Sequence, residues 1–182
     1  MAKMAKEVKT EKLSAAQQKQ IKQTVTDFFT KLGFEVKPDI NFDSPFFSDR
    51  LCKVEEGGIA ISIPGADLGI LIGFRGETLQ SLQTVLNVLI NRKLKDTSRE
   101  TLSWNYVNLD IAGWKQNREE VLVNIAQKAI DEVRKSKTSI TLPSMTPSER
   151  RIVHIFLTTV DGVDNRSEGE EPNRRIVIEA KG

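Results

Sequence analysis

Two glycines three residues apart, Gly73 and Gly76, constrain this chain more than any other feature. They follow the apolar residues Leu68, Ile70, Leu71 and Ile72. They precede a stretch in which Leu79, Leu82, Leu86, Leu89 and Ile90 recur at helical spacing. A glycine pair at such a junction lets the backbone come close to a ligand with no Cβ in the way. A helix starting at Glu77 adds N–H groups and the positive end of its dipole. Arg75 puts a charge at the tip, beside Phe74. The loop reads as a clamp for sugar-phosphate, with bases lying along an adjacent apolar groove, which suits unstacked single strands. It is not a nucleoside-triphosphate loop, because neither Lys-Ser nor Lys-Thr follows the glycines.

The surrounding periodicities alternate between helix and strand. Ile21, Val25, Phe28, Phe29 and Leu32 predict a helix over 14–32, stopped by Gly33. Phe34 to Phe42 predicts an edge strand interrupted by Pro38. Residues 41–50, with Asp43, Ser44 and Pro45, read as a connection, and 51–63 as a second strand. Asp67 is the expected cap of a short helix through Ile72. Residues 102–112 predict a strand; Gly113 begins the next unit, in which Val121, Leu122, Ile125, Ala129, Ile130 and Val133 give a long helix ending near Ser136. Ile140 and Leu142 mark a short strand. Thr146-Pro147-Ser148-Glu149 is a strong helix start, with a capping Thr, Pro in the first helical position and Glu three residues after the cap. That helix carries Ile152, Phe156 and Leu157 inward. Strands at 163–167 and 174–180 follow, joined by the acidic loop Glu168 to Glu171.

This order predicts an α+β fold of two small domains, each with helices packed on one face of a three-stranded sheet. The domains are 14–113 and 114–182, behind a flexible basic tail at 1–13. The chain has 182 residues, 38% hydrophobic and 29% charged, enough to bury two such cores.

Arg150 and His154 are four apart on the predicted helix and share a face, continued by Thr158. A guanidinium beside an imidazole offers donors to phosphate, and His also stacks on bases. The bland alternative is a structural histidine bonded to a neighbour such as the acidic loop. Arg174 and Arg175 open the last strand and are candidates for the same patch, while Arg92 and Lys93 form a basic exit from the helix after the glycine loop. Trp104, Tyr106 and Trp114 are expected mostly in packing roles.

Several classes are disfavoured. Net charge is only +2, so anion binding must come from local clustering. One cysteine, Cys52, and one histidine allow neither an internal disulfide nor the usual zinc site. There is no nucleophile–base pair and no metal-ligand spacing of carboxylates, so no catalytic residues, metal or cofactor are expected. No apolar run is long enough for a bilayer and no signal peptide is visible, which predicts a cytoplasmic protein without membrane insertion.

Gly73-Phe-Arg-Gly76 in this setting resembles the backbone-clamping loop of a KH domain of the bacterial strand order. Phe74 stands where similar proteins often carry Lys. Arg150 and His154, followed by Ser167-x-Gly169-x-x-Pro172-x-Arg174, resemble the Arg-x-x-x-His domain, a small fold that binds single-stranded nucleic acid. A KH domain followed by this module is similar to the bacterial KhpB/Jag family. The resemblance implies an RNA-binding regulator or RNA chaperone linked to cell division and envelope growth. Its partner would be single-stranded RNA, with single-stranded DNA as the alternative polymer. Taking the motifs and the basic clusters together, the expected RNA-binding residues are Gly73, Phe74, Arg75, Gly76, Arg92, Lys93, Arg150, His154, Arg174 and Arg175. The competing reading is a protein-interaction module that pairs with a small KH-domain protein.

Overall fold

A computed structural model describes residues 13–48, 53–94 and 105–181. They divide into two compact units, the first ending at Trp114 and the second beginning at Lys115. Each contains a three-stranded sheet with helices against it, the α+β arrangement that the periodicities predict.

In the first unit, helix α1 (Ala15–Lys31) starts at a capping box. The Gln17 amide donates to the Ser14 hydroxyl at 3.3 Å, and the Gln17 side-chain oxygen accepts from the Ser14 amide at 2.9 Å. Strands β1 (Asp39–Ser48) and β2 (Lys53–Ile63) pair antiparallel, and β3 (Val107–Ile111) joins β2 in parallel. Ile59, Ile61 and Ile63 of β2 and Val107, Leu109 and Ile111 of β3 are all buried, while Ser62 and Asn108 are exposed. One face of this sheet therefore carries the core. Onto it pack α1 and α3 (Glu77–Leu94), through Ile21, Val25, Phe29, Leu79, Leu86 and Ile90.

Three local expectations are corrected. Residues 41–48 are strand and not connection. Pro45 fits because β1 is an edge strand and the register shifts between Ser44 and Phe46, so the missing N–H interrupts no regular ladder. Asp67 does not cap the short helix α2 (Gly69–Ile72): its φ is +60°, and the cap position is Leu68, with no side-chain bond. Short polar Asp tolerates that left-handed turn better than most residues. The strand expected over 102–112 begins, within the described residues, at Val107. Before it, Asn105 is held by a side chain: its N–H donates to Asn91 Oδ1 and its carbonyl accepts from Asn91 Nδ2, both at 2.8 Å. Trp104 lies outside the described residues.

The second unit is built from α4 (Trp114–Ser136), whose first residue Trp114 belongs to the first unit, β4 (Ile140–Thr141), α5 (Pro147–Thr158), β5 (Val163–Glu168) and β6 (Arg175–Ala180). Its antiparallel sheet runs β4-β6-β5. Leu122, Ala126, Ile130 and Val133 of α4 meet Val153 and Leu157 of α5 over Ile176 and Ile178. Val153, not Ile152 or Phe156, is fully buried beside Leu157; the other two are partly buried at the core's margin.

Candidate nucleic-acid interface

The glycine loop, Gly73 to Gly76, is a tight turn between α2 and α3 in which the Gly76 amide donates to the Gly73 carbonyl at 3.4 Å. Gly73 has φ +72° and Gly76 φ +82°. Packing closes both positions to a side chain. A Cβ on Gly73 would lie 2.1 Å from Thr78 Oγ1, and one on Gly76 would lie 2.2 Å from the Trp114 ring. Arg75 is itself left-handed, at φ +50°. The loop thus projects Phe74 outward, 72% exposed, with the Arg75 guanidinium 5.0 Å from its ring centroid. That pair is a cation–π contact at the tip of the loop. Trp114 serves as the loop's support, which agrees with a packing role.

Arg92 and Lys93 are exposed in the last turn of α3. From Gly76 to Arg92 is 16 residues of chain, about 24 Å at the helical rise. The structure therefore does not bring them to the glycine loop. They sit where cations complement the helix dipole.

In the second unit, Thr146 and Glu149 form the capping box that starts α5. The Glu149 amide donates to Thr146 Oγ1 at 3.3 Å, and Glu149 Oε2 accepts from the Thr146 amide at 2.9 Å. One residue on, Arg150 is 7% exposed. Its guanidinium donates to the Met145 carbonyl at 3.1 Å and to Glu171 Oε1 at 2.6 Å. The Met145 amide donates to the Arg174 carbonyl at 3.3 Å, which brings the last strand's start beside Arg150.

One helical turn further, His154 lies over β5. Residues two apart on a strand face the same way, so Asn165 and Ser167 form a pair of supports. His154 Nδ1 is 2.5 Å from Asn165 Oδ1, and Nε2 is 2.7 Å from Ser167 Oγ. An amide oxygen faces Nδ1, so that nitrogen is the donor there, and Nε2 shares its hydrogen bond with the Ser167 hydroxyl. The bland reading of His154 is thus borne out in kind but not in partner: the histidine braces the strand, and the acidic loop holds Arg150 instead.

Arg150, His154 and Arg174 line one open cavity of about 360 Å³, together with Pro147, Arg151, Ile155, Thr158 and Ser167. Three arginines and an imidazole thus converge on one surface. Arg175 does not join them. It pairs with Glu168 in the ladder, one residue out of phase with the buried Ile176, on the opposite side of the sheet. There Arg166 bridges Glu168 at 2.6 Å and Glu179 at 2.5 Å. Hydrogen bonding from Arg150, reinforced by its charge and that of Arg174, holds the Glu171 carboxyl below its ordinary value. Sequence reasoning missed Asn165 and Ile155. The alternation Asn165-x-Ser167 opposite a helical histidine is the signal that could have found the first.

Among the described residues no cluster of His, Cys, Asp and Glu could hold a metal ion, and no helix is long and apolar enough to cross a membrane.

A glycine-loop unit followed by a sheet-braced Arg-x-x-x-His unit defines a class, the KH and R₃H pairing. Residues 52–100 match the KhpA/KhpB KH domain and residues 120–180 match the R₃H domain. The chain is 38% identical over 121 residues to the RNA-binding protein KhpB of Clostridium symbiosum, covering 66% of this chain and 51% of that protein. It is 33% identical over 139 residues to the protein of the same name from Bacillus subtilis, covering 74% and 62%. With that of Streptococcus pneumoniae, it shares 33% over 124 residues, covering 68% and 35%. The chain belongs to the KhpB/Jag family, and its match to these relatives spans from about a third to under two thirds of their length.

Proposed function

We propose that this chain binds single-stranded RNA at two tethered places, the Gly73–Gly76 loop and the cavity of Arg150, His154 and Arg174. The observation that carries the reading is the convergence of Arg150, Arg151, Arg174 and His154 on one open cavity. Relatives bearing the same two modules are named RNA-binding proteins. In the cavity, the arginines meet phosphate oxygens through charge-assisted hydrogen bonds. Braced by Asn165 and Ser167, His154 presents a fixed edge to the strand. At the glycine loop, the first turn of α3 and Arg75 face the backbone, and Phe74 offers a ring to a base. Each module alone binds weakly. Tethering adds on the order of 10²–10⁴ in apparent affinity.

The role is binding without catalysis or cofactor, in the cytoplasm, as a post-transcriptional regulator or RNA chaperone serving division and envelope growth. A second reading, pairing with a small KH-domain protein, is favoured by Val85 and Val88, exposed nearly one turn apart on α3. Salt separates the two. Affinity for an unstructured oligoribonucleotide should fall linearly on a log–log salt plot, with slope about −0.7 per phosphate contact. A flat dependence, or no binding at low ionic strength, overturns the RNA reading.

A further inference from the structure

Resting on that reading, we propose that Glu171 is a built-in competitor for the cavity: its carboxylate is the anion that Arg150 holds until a phosphate is exchanged for it. Glu171 thereby sets how readily the second module accepts nucleic acid.

The Arg150–Glu171 pair is asymmetric. At 2.6 Å, the Arg150 side chain is 9% exposed and that of Glu171 is 49% exposed. Arg150 is anchored a second time at the Met145 carbonyl and lines the cavity, which Glu171 does not. When an incoming anion competes, the exposed partner yields. A carboxylate turning into water loses little, because exposed pairs contribute little. A buried guanidinium leaving its seat would strand the Met145 carbonyl.

Charge placement on the β5–β6 turn points the same way. Glu168 is committed to Arg166 on the outer face of the sheet. Glu171 is bonded to one cavity arginine and sits within the field of another, Arg174. A carboxylate there lowers the cavity's pull on any anion. It favours a polymer backbone that meets Arg150, His154 and Arg174 together over an isolated phosphate meeting one of them.

The test uses the full chain and a fluorescently labelled, unstructured oligoribonucleotide, read by anisotropy across a salt series. Glu171→Gln keeps the shape of the side chain and removes its charge. Binding should tighten about two- to fivefold, the scale of an exposed ion pair. Its log–log salt slope should steepen by about 0.7, because Arg150 then starts without an internal counter-charge. Glu170→Gln removes the same charge from the same turn while leaving the Arg150–Glu171 bond in place, and should gain less than half as much. Weaker or unchanged binding by Glu171→Gln overturns the inference, since a carboxylate that merely orients Arg150 predicts a loss. Equal gains in the two variants overturn it as well, as a general charge effect. A wild-type chain that binds no oligoribonucleotide removes the functional reading and this inference together, whereas binding without the gain removes the inference alone.

Discussion

Arg118 and Glu149 join α4 to α5 through an ion pair of 2.7 Å. Glu149 divides its oxygens: Oε1 faces the Arg118 guanidinium, and Oε2 accepts from the Thr146 amide at 2.9 Å. The carboxylate is 5% exposed. One residue thus caps the helix and receives the neighbouring helix's cation, and the next residue along is Arg150. The cavity arginine inherits its position from this lock.

Arg118→Met tests the lock. It leaves a buried carboxylate with the Thr146 amide but without its cation, and loss of one member of a buried pair is strongly destabilising. Arg118 is partly exposed, so the expected cost is about 2 kcal/mol, below the full range for deep pairs. Urea unfolding of the second unit checks it. A cost under about 0.5 kcal/mol, the usual level for surface substitutions, would show that water replaces the arginine.

Arg75→Glu should weaken oligoribonucleotide binding about three- to tenfold, and a melt on the same preparation separates that loss from the loss of the Phe74 contact. The glycines are poor places for this test, since a side chain at either one strikes Thr78 or Trp114. Unchanged affinity on charge reversal at Arg75 would remove the loop from the proposed interface.

His154→Ala removes the brace between α5 and β5. Asn165 and Ser167 are only partly buried, so water can satisfy them, and the stability cost should stay near 1 kcal/mol. RNA affinity should fall more than stability suggests, about fivefold or greater, because the cavity loses a wall. Anisotropy and thermal melts on one preparation check this. A stability loss with no change in affinity would leave His154 as a brace alone.

Much of the site is legible in local sequence, for a physical reason. Capping boxes close within one helical turn, so Thr146 and Glu149 announce α5 without tertiary knowledge. Spacing of four residues puts Arg150 and His154 together on any helix. Their partners are not legible. Asn165, Ser167 and Glu171 lie 11, 13 and 21 residues away from the groups they bond, and only packing of α5 across β5 selects them. Pro45 misleads because edge position is a property of the sheet and not of the residues near it. Arg92 reads as part of a basic surface, but the length of α3 carries it away from the loop.

Acid should expose the Arg150–Glu171 pair. The Glu171 carboxyl lies below its ordinary value of 4.5, chiefly through the hydrogen bond from Arg150. A carboxyl lowered in the folded state contributes stability that is present above the unfolded value and lost as pH falls through the folded one. The urea midpoint of the wild type should therefore exceed that of Glu171→Gln near neutral pH, and the gap should narrow as pH falls below the ordinary carboxyl value. A gap that persists in acid would show that the glutamine change acts through packing and not through charge.

Gly76 and Trp114 offer a test in which two physical causes separate. Gly76→Ala meets a left-handed φ of +82° and an indole carbon 2.2 Å from the new Cβ. The backbone share costs about 1–2 kcal/mol for a non-glycine residue, and overpacking adds about 1–3 kcal/mol. Trp114→Ala removes the obstacle but not the φ. In a double-mutant cycle, alanine at 76 should therefore be less costly on the Trp114→Ala background, with a coupling of about 1–2 kcal/mol. A residual cost of at least about 1 kcal/mol should remain from the backbone. Additive effects would mean that the indole moves aside freely. Trp114 would then not be the support on which the glycine loop is set.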